Sequence, residues 1–170
     1  MVYDLLKITI PGILILYTAY LMVRSFMQKQ LDESLLSIRH KNQETVLPIR
    51  LQAYERVTLL LERISPNNLI PRLNDSELTP QQLQVVLVNE IRSEYNHNLS
   101  QQVYMSDEAW MHVSGSVESL ISLINEVGNE LTKESTNMDL ARMIFERNLQ
   151  NEDSVMNALK FVKAEIRELF

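Results

Sequence analysis

Between Lys7 and Arg24 the chain runs ITIPGILILYTAYLMV, sixteen residues without a charge. A helix built on this run is apolar on every side, whereas a surface helix of a globular domain keeps one polar face. At ~1.5 Å per residue the run reaches about 24 Å, somewhat short of a ~30 Å hydrocarbon core. Taking in Leu5, Leu6, Phe26 and Met27 closes the gap if Lys7 and Arg24 snorkel to the two interfaces. The run ends in Leu-Met-Val-Arg, which lacks the small-x-small pattern of a signal-peptide cleavage site. Residues 5–27 are therefore expected to meet the lipid bilayer as a single transmembrane helix. Pro11-Gly12 marks a place for a kink, which membrane helices tolerate.

Flanking charge sets the expected orientation. Arg24, Lys29, Arg39 and Lys41 follow the run, against Lys7 and the terminal amine before it. Positive residues favour the cytoplasmic side, so the N-terminus is expected outside and the bulk of the chain in the cytoplasm. No Gly or Pro interrupts residues 24–46, which are rich in good helix formers. The sequence predicts that the first helix continues as a stalk over 28–47, with Pro48 marking a kink or a fresh start.

The fold class expected for the whole chain is all-α. Gly and Pro number only three and five in 170 residues, and aliphatic residues recur at helical rather than alternating spacing. The organisation follows as an anchor over 1–27, a helical stalk over 28–47 and a cytoplasmic helical bundle over 48–170. Cysteine is absent, which excludes disulfides, thiolate metal sites and thiol nucleophiles. The net charge of −6 is unevenly spread: residues 1–72 carry +3 and residues 73–170 carry −9. A nucleic-acid binder concentrates positive charge on its folded part, so no nucleic-acid partner is expected.

Residues 50–63, RLQAYERVTLLLER, carry Glu55-Arg56 and again Glu62-Arg63, seven residues on. Seven residues is two helical turns, so the pairs form two charged rows beside an apolar face of Ile49, Ala53, Tyr54, Val57, Leu60, Leu61 and Ile64. Leu59 falls outside that face, and Arg50 points toward it, placed to bend to water or to hold a carboxylate of another helix. Further helices are expected after Ser65-Pro66, after the cap pair Thr79-Pro80 and after Ser106-Asp107-Glu108. Two more cover MDLARMIFERNL and DSVMNALKFVKAEIRELF. The helix after Ser106 carries the cleanest stripe, including Trp110, Val113, Val117, Leu120, Ile124 and Val127. In the last helix Val155, Met156, Leu159, Val162, Ile166 and Leu169 align, and Phe161 points the other way, as a candidate partner contact.

No catalytic or cofactor motif is present: no phosphate-binding loop, dinucleotide glycine motif, nucleophile elbow or HExxH. Glu90, Glu94 and His97 share one side of their helix and form half of a carboxylate–histidine di-metal pattern, but no second half exists. No enzyme activity, cofactor or metal site is expected.

At RLQAYER, LERISP, HNLSQQVY and the terminal EIRELF the chain resembles an uncharacterised family of small single-pass membrane proteins from Bacteroidota-type bacteria, with a cytoplasmic helical domain. The resemblance spans the chain and implies a bacterial inner-membrane address, with no activity to transfer. Its polar segments, Arg50–Arg56 and His97–Tyr104, suggest one interaction surface if they adjoin: Arg50, Gln52, Glu55, Arg56, Asn98, Gln101 and Gln102, with Arg63 and Phe161 as further partner contacts. The function expected is a membrane-anchored interaction module, an adaptor or accessory subunit that binds another membrane or cytoplasmic protein. A homo-oligomer, a sensor with a small ligand inside the bundle and an enzyme of unfamiliar type remain as alternatives.

Overall fold

A computed structural model describes the backbone of residues 2–168 and the side chains of residues 12–30 and 44–168. The described residues are helical or in short connections, with no strand among them. The chain divides into two compact units, Met1–Leu47 and Pro48–Phe170.

The first helix, α1, spans Val2–Ile64 and does not end at Pro48, so a fresh start there is not what the chain adopts. An interior proline removes one i→i−4 bond, and here the helix continues past it. In the first unit, Ile13 to Leu16, Tyr17, Tyr20 to Val23, Phe26 and Met27 are all exposed. Among the described residues, however, no helix is long and apolar enough to cross a membrane. The side chains of residues 5–11 in the expected span lie outside the described residues. The described charge-free part, residues 12–23, reaches only about 18 Å at ~1.5 Å per residue, well below a ~30 Å core. The transmembrane helix expected from the sequence is therefore not supported by the described residues.

The second unit is a helical bundle. The end of α1 packs with α2 (Pro66–Leu73), α3 (Pro80–Asn98), α4 (Asp107–Glu130), α5 (Asn137–Gln150) and α6 (Ser154–Glu168). Sequence-local chemistry starts most of these helices. Thr79 accepts from the Gln82 N–H while the Gln82 side chain accepts from the Thr79 N–H, a reciprocal capping box. Thr136 and Asp139 do the same for α5, and Ser106 accepts from the Ala109 N–H at the head of α4. Ser65 precedes Pro66 at α2 but supplies no side-chain cap.

Among the described residues the core follows the helical periodicity with two adjustments; Leu169, aligned with the last helix by sequence, lies outside them. Ala53 of α1 is buried, and Tyr54, Val57, Leu60, Leu61 and Ile64 join one core cluster with Leu87, Ile91, Val113, Leu120, Ile124 and Val162. Ile49, placed on the same face by sequence, is exposed, and so is Met156, which sequence aligned with the α6 stripe. Trp110 is half-buried and stacks on Tyr95, ring centroids 5.7 Å apart, which joins α4 to α3.

A groove between the first helix and the 99–104 segment

In the bundle, α1 turns one face inward and leaves Gln52 and Arg56, four residues apart, on the outer side with Ile49. The facing wall comes from the end of α3. The Asn98 amide turns back to donate to the Glu94 carbonyl at 2.9 Å, and the chain then tightens into a 3-10 helix over Leu99–Tyr104. With about three residues per turn, this segment presents Ser100 and Val103 to the same side. Arg50 Nε donates to the Tyr104 carbonyl at 3.1 Å, tying the two walls across a sequence gap of fifty-four residues.

Between the walls lies an open groove of about 370 Å³, lined by Ile49, Gln52 and Arg56 on one side and Ser100, Val103 and Tyr104 on the other. Ala53 and Gln101 complete its lining. Its rim is apolar and uncovered: Val103 is 77% exposed, Ile49 44% and Tyr104 39%. No carboxylate lines it.

The seven-residue repeat now has a structural account. The second copy is consumed inside the bundle: Arg63 pairs with Glu94 of α3 at 2.7 Å, and Glu62 faces Lys163 of α6 at 3.8 Å. The first copy is left over. Glu55 and Arg56 are exposed and form no ion pair among the described residues, and Arg56 lines the groove.

A carboxylate knot joins α1, the head of α4 and α6. Tyr54 donates its hydroxyl to Glu165 Oε1 of α6. Ser106 donates its backbone N–H to Oε1 at 3.2 Å and its hydroxyl to Oε2 at 2.7 Å. Burial, then the Glu165 carboxylate, pushes the Tyr54 phenol up to about 12, with Arg50 opposing. Burial alone raises Glu165, but the hydrogen bonds from Tyr54 and Ser106 and the nearby Arg50 guanidinium outweigh it and hold the carboxyl below its ordinary value. Arg50 thus lies near enough to Glu165 to favour its charged form, while its hydrogen bond goes to the Tyr104 carbonyl.

The structure brings together Arg50, Gln52, Arg56 and the 100–104 segment, and redistributes the other candidates. Asn98 and Gln101 are buried; Asn98 serves the helix end, and Gln101, at the edge of the groove lining, donates to Ser100 Oγ at 3.2 Å. Gln102 and Glu55 are exposed but do not line the groove. Arg63 is engaged by Glu94. Phe161 is half-buried and stacks on His112, ring centroids 4.3 Å apart, rather than standing free. Glu90 pairs with Arg72 at 2.6 Å as Glu94 does with Arg63, and among the described residues no three His, Asp or Glu side chains are grouped to hold a metal ion. Sequence reasoning missed Tyr54, Ser106 and Glu165; the one signal was a tyrosine hydroxyl on an otherwise aliphatic face, which needs a partner once buried.

Residues 1–169 match the Family of unknown function (DUF7935). The chain belongs to this family. The DUF7935 match covers the N-terminal apolar run, both walls of the groove and the Tyr54–Glu165 knot. No curated protein matches the chain. No solved structure does either.

Proposed function

We propose that the chain is a membrane-anchored interaction module whose groove between α1 and the 99–104 segment docks a protein partner. The observation that carries this reading is the groove itself. Two polar segments far apart in sequence meet there, leaving an unpaired arginine among uncovered apolar side chains. An uncovered Ile49, Val103 and Tyr104 around a charge resembles the mixed apolar and polar make-up of protein-binding patches more than an enclosed small-molecule pocket. The apolar, uncovered run on the first unit supports an anchor in a bilayer, with residues before Gly12 supplying the length that residues 12–23 lack. The excess of Lys and Arg after that run supports a cytoplasmic bundle at a bacterial inner membrane.

The test is mild-detergent purification of the tagged full chain from its native membrane, beside Val103→Asp and an Arg56→Glu variant. A companion at fixed stoichiometry that is lost from both variants, while each keeps its helical circular dichroism and melting temperature, supports docking at the groove. A companion retained by both variants removes the groove from the account.

A further inference from the structure

We infer that the occupant of the groove is an acidic peptide segment, one carboxylate flanked by apolar side chains; this rests on the docking reading above. Three features define its chemistry. The bundle, residues 48–170, carries eleven Lys/Arg against eighteen Asp/Glu, a net −7, yet no carboxylate lines the groove, so the groove differs in charge from the acidic surface around it. Among the lining residues the only charge is Arg56, and it makes no ion pair among the described residues, although Arg63, its counterpart two turns on, has Glu94. The guanidinium is a planar fork that matches a carboxylate in two parallel hydrogen bonds, and Gln52 one turn away adds a neutral amide that can donate to the same oxygens.

The apolar positions then set the pattern. On α1, Ile49 lies two turns before Arg56 and Leu59 one turn after it, and both are exposed, Leu59 at 53%. Val103 and Tyr104 stand across from Ile49, and Leu59 lies on α1 beyond the groove lining. A segment whose apolar side chains bracket an acidic one meets Ile49 and Leu59 with its apolar ends and Arg56 with its centre. A basic segment meets repulsion at Arg56 and finds no lining carboxylate to offset it. Charge in this place acts as a selector of partners more than as a source of affinity.

The experiment uses the full chain in lipid nanodiscs and three fluorescein-labelled fourteen-residue peptides. They share one leucine pattern and carry glutamate, glutamine or lysine at the central position. Fluorescence anisotropy at low salt is expected to show the glutamate peptide binding about tenfold tighter than the lysine peptide, attraction and repulsion both contributing. Arg56→Gln is expected to level the two, Arg56→Glu to reverse them, and Val103→Asp to weaken all three. Equal binding of glutamate and lysine peptides, or a glutamate preference that survives Arg56→Gln, overturns the acidic occupant. If those equal affinities still fall in Val103→Asp, the groove as a docking site stands and only the occupant's charge is wrong. Absence of binding by all three peptides also overturns the proposal. The docking reading then depends on the native co-purification, which it does not touch.

Discussion

At the scale of single residues, Glu165 does the most to join distant parts of the chain. Its carboxylate accepts from Tyr54, one hundred and eleven residues earlier, and from both donors of Ser106. Tyr54 is fully buried, so removing its acceptor strands a phenolic hydroxyl in the core. Glu165→Ala is expected to cost about 1–3 kcal/mol, the range for leaving a buried donor unpaired. The pH dependence has two limbs. Glu165 is held below its ordinary value of 4.5, so its stabilisation is present above that value and is lost as pH falls through the lower folded-state value. Tyr54 is raised from 10.0 to about 12, so its contribution is complete below 10.0 and is lost as pH rises through about 12. Urea melts across pH are expected to show a shallower acid limb in Glu165→Gln and a shallower alkaline limb in Tyr54→Phe. Limbs identical to those of the unmodified chain would mean that the knot contributes nothing to folding.

At the scale of elements, α4 contains two glycines in unlike surroundings. A methyl group at Gly115 meets nothing within 4 Å, so Gly115→Ala is expected to stabilise the chain by about 0.5–1 kcal/mol through helix propensity. At Gly128 the added carbon runs into the Gln84 amide, which must swing aside and give up its 3.1 Å bond to Asn125. Gly128→Ala is therefore expected to fall short of Gly115→Ala by about 1 kcal/mol, the worth of one hydrogen bond. Thermal melts of the pair check this ordering; a larger gain at Gly128 would mean that the Gln84 contact is not held.

Elements were also the level most legible in the sequence. The α1 face followed from a 3.6-residue period, and Thr79-Pro80 and Ser106 announced two helix starts through side-chain oxygens that act within three residues. The groove was legible only in part. Arg50 and Arg56 were marked by polarity, but the inward turn of Gln101 follows from 3-10 winding, which a 3.6 period misplaces. The Tyr54–Glu165 tie and the Phe161–His112 stack depend on packing between helices far apart in sequence, which no local pattern encodes.

At the scale of the molecule, the proposed function joins an anchor to a docking domain. The anchor makes its own prediction. Arginine near the centre of a spanning helix costs about 2.5–3.5 kcal/mol of insertion, so Leu16→Arg is expected to move chain from the carbonate-resistant membrane fraction to the supernatant. Unchanged partition would show that this run does not sit in lipid. The docking domain carries the central claim, that the groove is where a partner binds. Its most direct measurement is photo-crosslinking in the native membrane with benzoylphenylalanine at Val103, compared with the same group at Leu149, which is 78% exposed and does not line the groove. Docking at the groove gives one discrete adduct from position 103, lost on Arg56→Glu, and none from position 149. Adducts alike from both positions, or none from position 103, would contradict it.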